Sequence, residues 1–291
     1  MDGDDLRFAA RAIADADSVV GMTGAGVSTA SGVPDFRGDD GLWERHDPMD
    51  FHVDRFEADP EGFWADRLAL HESIYGTDES GSEASEGNDT GSDAAGAGGD
   101  AEDAADGSVA IEPNAAHEAL AALEADGHLD ALITQNVDGL HAAAGSEELI
   151  EIHGSGERVV CRSCRSRFPA EPVHERVREG ECPPTCADCG EPLKPDVVLF
   201  GESLPEYALL RAHALAEKAD VFLVAGSSLS VEPAASLPHT AADRGATMVV
   251  VNLDATPLSG RAEYDFRTDV TDLLPRLREA VAETAGDDGE R

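Results

Sequence analysis

Hydrophobic and polar positions alternate along this chain in two distinct periods. Residues 5–17 place Leu6, Ala9, Ala10, Ile13 and Ala14 at helical spacing, which predicts a first helix. A short apolar run over 18–22 predicts a strand, and it opens into the stretch GMTGAGVSTASGVPDFRG at 21–38. Residues 61–75 predict a helix carrying Phe63, Trp64, Leu68 and Leu70. Pro113-Asn114 opens another, with Ala116, Leu120 and Leu123 on one face. LDALITQN, ELIEIHGS, DVFLVAGSSL and ATMVVVNLD each predict a strand ending in polar residues, and DLLPRLREAVAE predicts a closing helix. Strands alternating with helices indicate an α/β fold with a parallel sheet. Ligands of such sheets bind beyond the carboxyl ends of the strands, which is where these polar tips collect.

The pattern stops over 77–107, TDESGSEASEGNDTGSDAAGAGGDAEDAADG. This segment has no Val, Ile, Leu, Met, aromatic or basic residue. It cannot bury enough apolar surface to offset the entropy of ordering, so a disordered acidic insertion is expected there.

Composition changes the picture in three ways. The net charge of −39 over 291 residues, with lysine only at Lys194 and Lys218, resembles adaptation to high salt. At molar salt the screening length falls to about 3 Å, so self-repulsion is muted. The alternative is an ordinary acidic protein with a disordered tail. The charge also speaks against nucleic acid as a direct ligand, because no basic stripe exists. No apolar run is long enough for a membrane span, and the acidic start MDGDDLRFAA lacks the features of a signal peptide, so a cytoplasmic protein is expected. Five cysteines without a secretion signal suggest reduced thiols or a metal site.

The metal reading has a concrete pattern. CRSC at 161–164 and CADC at 186–189 are two C-x2-C knuckles separated by 21 residues. Each turns two thiolates onto one cation, and together Cys161, Cys164, Cys186 and Cys189 complete a tetrahedral zinc site with no open position, hence a structural one. Disulfides or free thiols are the alternative, and Cys182 is a weaker competitor for the metal.

The strand tips carry the candidate chemistry. Gly24 and Gly26 begin a dinucleotide loop, but Thr29 stands where a third glycine would complete G-x-G-x-x-G. Gln135, Asn136 and Asp138 in TQNVDGLH offer amide donors, amide acceptors and a carboxylate, a set suited to a ribose and a carboxamide. His153 in EIHGSG stands at another tip, where a neutral imidazole serves as a general base or as a structural histidine. AGSSLSV at 225–231 is a second glycine-serine turn, able to hold phosphate oxygens through backbone N–H groups.

GAGVSTASGVPDFRG, TQNVDGLH, EIHGS, the paired knuckles, LKPDVVLFGE, GSSLSVEPAA and VVNLD occur in one order. Together they resemble the sirtuins, the silent-information-regulator family of NAD-dependent protein deacylases, over roughly residues 5–76 and 111–280. The resemblance implies a Rossmann-like parallel-sheet domain and a smaller domain made of a zinc ribbon and a helical insertion. The expected boundaries are 1–36, 112–155 and 195–283 for the large domain and 37–76 for the cofactor loop and helical part. The acidic insertion then covers 77–111, the ribbon 156–194 and a disordered tail 284–291.

The resemblance also implies roles. Gly24, Ala25, Gly26 and Ser28 approach the NAD pyrophosphate, and Asp35, Phe36, Arg37 and Trp43 belong to a loop that covers the cofactor. Such an enzyme breaks the bond from nicotinamide to ribose instead of transferring hydride, which accounts for the broken glycine pattern. Gln135, Asn136 and Asp138 receive the ribose and nicotinamide. Gly226, Ser227, Ser228, Asn252, Leu253, Asp254 and Val270 line the adenosine side. His153 is the general base, with Asn136 beside it in the catalytic set. Val198, Phe200 and Gly201 meet the substrate backbone and wall the acyl-lysine tunnel. The implied reaction moves an acyl group from lysine to ADP-ribose and releases nicotinamide, with NAD as co-substrate, one structural zinc and acylated proteins as partners.

Acyl preference is read from the helix FWADRLAL. Succinyl- and malonyl-preferring sirtuins carry Tyr-x-x-Arg there; here Trp64 takes the tyrosine position and Arg67 follows three residues later. A buried Trp64 with a surface Arg67 favours a deacetylase. Removal of acidic acyl groups and mono-ADP-ribosyl transfer are the alternatives.

Overall fold

The computed structural model describes residues 3–35, 41–42, 46–76 and 111–288. Phe36, Arg37 and Trp43, and most of the acidic insertion, lie outside the described residues.

Helix α1 (Gly3–Ala14) buries Leu6, Ala9, Ala10 and Ile13, the face its spacing predicts. Strand β1 (Val19–Thr23) is buried along its whole length, as a central strand covered on both faces must be. The helical insertion follows as α2 (Val53–Ala58) and α3 (Pro60–Tyr75). Pro60 sits in the first turn of α3, and the Asp59 side chain caps it by accepting from the Gly62 N–H. The chain then runs through α4 (Ala115–Ala125), β2 (Ala131–Thr134), the one-turn α5 (Leu140–Ala143) and β3 (Leu149–Glu151). The ribbon comprises β4 (Gly154–Cys161), β5 (Arg167–Pro169), α6 (Glu171–Arg178) and β6 (Leu193–Val197). The large domain resumes with α7 (Glu206–Ala216), β7 (Val221–Ala225), α8 (Ser236–Arg244), β8 (Thr247–Asn252), β9 (Tyr264–Arg267) and α9 (Val270–Asp288).

Six strands form one sheet in the order β3-β2-β1-β7-β8-β9, and every pairing is parallel. Strand order reverses between β1 and β7, which opens a crevice at their carboxyl ends. Alternate residues serve opposite faces. Val19, Val221, Leu223, Val249 and Val251 pack with α1, α4 and α9. Val20, Met22, Phe222, Val224, Met248 and Val250 pack with α7 and α8. A separate antiparallel sheet, β5-β4-β6, shares a third core with α2, α3 and α6, centred on Phe63, Trp64, Val159 and Leu193. The α/β expectation and its Rossmann-like form therefore hold.

Two expectations shift, and one strand was not anticipated. The closing helix continues to Asp288, so residues 284–288 are helical where a tail was expected. Val281 is buried there, and the Thr284 hydroxyl donates back to the Ala280 carbonyl at 2.8 Å. The antiparallel sheet begins at Gly154 and ends at Val197, so it crosses both expected ribbon boundaries. The edge strand β9 escaped the pattern reading, because YDFR buries only Phe266.

Candidate functional site

Two glycine loops meet where β1 and β7 end. The Gly26 N–H donates to the Gly226 carbonyl at 2.9 Å. A Cβ on Gly26 would lie 2.9 Å from that same oxygen, and one on Gly24 would lie 3.0 Å from it. Gly226 itself has φ +59, a region side chains avoid. Both loops are therefore glycine because their backbones touch. The Gln135 amide spans from one loop to the other, donating to the Thr23 carbonyl at 3.2 Å and the Ser227 hydroxyl at 2.8 Å.

A polar network lies behind the first loop. Ser28 is buried and donates to Asp138 Oδ2 at 2.7 Å. Its oxygen accepts from Asn136 Nδ2 at 3.0 Å. Asn136 also donates to the Gly24 carbonyl at 3.2 Å, while its Oδ1 is buried and has no hydrogen-bond partner among the described residues. A buried acceptor without a donor is costly, so this atom marks a place for a ligand N–H. The nicotinamide carboxamide is such a donor, and the residues present fit NAD.

His153 stands just past β3, where the large sheet passes into the ribbon. Its Nδ1 lies 2.9 Å from the Gln135 carbonyl. A carbonyl only accepts, so Nδ1 carries the proton and Nε2 keeps its lone pair. Burial lowers the His153 pKa below its ordinary value, partly offset by the bond to Gln135. The imidazole is thus neutral at neutral pH, with one nitrogen committed and the other available as a base.

The four knuckle cysteines converge. Their sulfurs lie within 4.8 Å of one another, with Cys161–Cys189 at 3.4 Å and Cys164–Cys186 at 3.6 Å. A tetrahedral zinc with bonds of about 2.3 Å puts its sulfurs about 3.8 Å apart. The cluster fits structural zinc. Cys182 takes no part; its thiol donates to the Glu61 carbonyl at 3.2 Å.

A family model described as the Sir2 family matches residues 24–73 and 102–233. The chain belongs to the Sir2 family. An NAD-dependent protein deacetylase of Haloarcula marismortui is 51% identical over 282 residues, 97% of this chain and 96% of that one. A crystal structure of a Sir2 homologue with NAD superposes with TM-score 0.75 at 37% identity, covering 98% of this chain and 95% of that one. A Sir2 structure with a deacetylated p53 peptide and 3′-O-acetyl ADP-ribose superposes with TM-score 0.75 at 33% identity, covering 94% and 97%.

The remaining site residues of this Sir2-family chain are placed as follows. Ala25 lies in the one-turn 3-10 helix Ala25–Val27 after Gly24, and the Asp35 carbonyl accepts from the Leu42 N–H at 2.8 Å. On the far side of the crevice, Ser228 and Ser230 share a hydrogen bond at 2.9 Å. Asn252 ends β8 and donates to the Asp254 carbonyl at 3.0 Å, Leu253 is exposed, and Val270 opens α9, buried. The Val198 N–H donates to the His153 carbonyl at 2.8 Å, tying the stretch after β6 to the histidine. Phe200 is bracketed by Phe51 and Val53 of the helical insertion through bonds of 3.2 and 2.9 Å, and the His52 imidazole fills the space beside Gly201.

Two residues of the acyl reading part company. Trp64 is 0% exposed and its indole donates to the Leu193 carbonyl at 2.8 Å, so it is part of the small-domain core. Arg67 is half-buried rather than fully exposed. Its Nε is buried without a partner, and its guanidinium lies 3.6 Å from the space a Cβ on Gly156 would take. The Gly156 N–H bonds the Val137 carbonyl at 2.7 Å, so Arg67 lies over the segment joining Asn136 to His153. Helical periodicity put both residues on one helix but not on which side of the small-domain core each would emerge.

Sequence reading missed several supports. His117 accepts from the Asn114 N–H at Nδ1 and presents Nε2 to the Ser28 hydroxyl at 3.4 Å. His141 meets the Thr23 hydroxyl at 2.8 Å, and its buried Nδ1 has no partner. Tyr75 ends α3 with its pKa pushed up to about 12, by burial and then by the nearby Asp138 carboxylate. Lys194 is buried and pairs with Glu202 at 2.8 Å, whose carboxylate also accepts from the Leu199 N–H. The available signal was Asn-x-x-His directly after Pro113, and a lysine in a chain nearly devoid of them.

Proposed function

We propose that this protein is an NAD-dependent protein lysine deacetylase that moves the acyl group to ADP-ribose and releases nicotinamide. The observation that carries the reading is His153: a neutral imidazole with Nδ1–H fixed on Gln135 and Nε2 free, beside the unpartnered Asn136 Oδ1. NAD supplies an activated bond between ribose and nicotinamide.

This chain's residues do the rest. Gly24, Ala25, Gly26 and the Gly226–Ser228 turn offer close backbone approach to the pyrophosphate and adenosine. Asn252, Leu253, Asp254 and Val270 take the adenine-ribose end. Asn136 Oδ1 accepts from the carboxamide, with Asp138 held beside it by Ser28. The loop that begins at Asp35 would exclude water from the reacting ribose. His153 Nε2 takes the proton of a ribose hydroxyl, a task suited to a base titrating below neutrality. Val198, Phe200 and Gly201 belong to the stretch that meets an extended substrate chain and walls the acyl-lysine tunnel. The partners are acylated lysine-containing proteins, in a cytoplasm of high salt; the acidic surface disfavours nucleic acid as a direct ligand.

Arg67 favours a second reading for acyl preference. A half-buried guanidinium whose sealed Nε has no partner among the described residues suits an acyl carboxylate, a charge-assisted contact. One experiment separates the readings. The protein is incubated in multimolar KCl with NAD and lysine-acetylated or lysine-succinylated peptide, and products are weighed by mass spectrometry. Acetyl-ADP-ribose alone, lost in His153→Ala, is expected for a deacetylase. Succinyl-ADP-ribose that disappears in Arg67→Met establishes acidic-acyl removal. Absence of both products from folded, zinc-loaded protein overturns the deacylase assignment.

A further inference from the structure

The small domain carries a second cluster of metal-ligating side chains, on the face of α3 turned toward α6. His71 comes from α3; Glu171 and His174 come from α6. One donor atom from each lies within 4.8 Å of the others. The two imidazole rings meet edge-on with centroids 4.5 Å apart. His174 is 2% exposed, and its Nδ1 is buried without a hydrogen-bond partner, 3.7 Å from Glu171 Oε2. A ring nitrogen sealed from water and left unbonded is the feature a purely structural histidine avoids.

We propose that His71, Glu171 and His174 bind a second divalent transition-metal ion, zinc by preference, that staples the helical insertion to the ribbon. Two imidazoles and one carboxylate are a common zinc donor set, with a water completing the tetrahedron. Bonds of about 2.1 Å require donor atoms about 3.4 Å apart, so donors within 4.8 Å of one another must close by at most about 1.4 Å. The two ligands that move are partly or well exposed, His71 and Glu171, while the buried His174 stays. Glu171 is already oriented: Arg178 Nη1 donates to its Oε1 at 2.9 Å, which leaves Oε2 for the metal. A hydrogen-bonded outer partner of this kind fixes a ligand's direction.

The charges around the cluster are mixed. Arg67, one turn before His71 on α3, and Arg178 oppose a cation. Glu171 and Glu72 offset them, and Arg178 is itself bridged between those two carboxylates. The site is therefore expected to bind more weakly than the four thiolates and to fill only at raised free zinc.

The test is metal stoichiometry on the full chain in multimolar KCl with excess magnesium, which suppresses loose binding to the acidic surface. Equilibrium dialysis against micromolar free zinc is expected to give two zinc ions per wild-type chain, and one in His71→Ala and in Glu171→Gln. Cobalt(II) gives an independent signature. The cysteine site shows intense thiolate charge-transfer bands. The second site adds weak visible bands without charge transfer, lost in both variants. Far-ultraviolet circular dichroism confirms that each variant is folded; both substitutions fall on groups that reach solvent. A wild-type chain that saturates at one zinc overturns the proposal, as does a second zinc that survives His71→Ala.

Discussion

His153 donates its Nδ1–H to the Gln135 carbonyl and keeps Nε2 free, and both its tautomer and its depressed pKa come from where the chain buries it. A base must be unprotonated to act, so activity is expected to hold through neutral pH. It falls only as pH drops through a folded-state pKa that lies below the ordinary 6.5. The acid limb of kcat/KM against pH should therefore sit below 6.5, and His153→Gln should lose about 100- to 10,000-fold in kcat without losing NAD binding. A limb at or above 6.5 would contradict the role. His141 shows the same physics in stability. Burial lowers its pKa from 6.5 to about 3, so its neutral form favours the fold. That contribution is complete above 6.5 and declines as pH falls from 6.5 toward about 3, where the folded state also takes the proton. The histidines were visible in the sequence as types; their protonation was not, because burial and a backbone carbonyl distant along the chain set it.

The loop after β1 and the loop after β7 are one structure in two pieces. Gly26 and Gly226 are separated by most of the fold and hydrogen-bonded at 2.9 Å. Gly26→Ala places a methyl group against the Gly226 backbone, which must shift. Because both loops hold NAD in the proposed function, the substitution is expected to raise the NAD dissociation constant by about tenfold or more, about 1.4 kcal/mol. Isothermal titration with NAD checks this; unchanged affinity in folded Gly26→Ala would show that the contact does not shape the NAD site. At this scale α1, α4 and the central strands were legible, the helices by apolar residues at helical spacing and the strands as short continuous apolar runs buried on both faces. The edge strand β9 and the last turns of α9 were not. An edge strand buries little, and helical termini depend on what they pack against.

Sixty acidic residues against twenty-one basic ones leave the whole molecule at −39. Self-repulsion of that size is relieved by screening, and many of the ion pairs, such as Arg7–Asp4 and Arg244–Glu217, are exposed and contribute little individually. Thermal stability is expected to rise steadily with KCl into the molar range, read as Tm by circular dichroism. A Tm that falls with added KCl would remove high-salt adaptation from the reading. Among the described residues no helix is long and apolar enough to cross a membrane.

The sequence alone determined the layer architecture, the zinc ligands and the identities of the strand-tip residues. Each of these is local: periodicity of 2 or 3.6, two thiols per knuckle, a polar residue where an apolar run ends. Only the tertiary structure decided which tips share one crevice, because that follows from strand order and its reversal between β1 and β7. It also decided that Trp64 is core while Arg67 lies against Gly156, three residues beyond His153. And it alone brought His71 to His174 across two helices, because proximity between distant residues is a property of packing, which no single stretch of chain encodes.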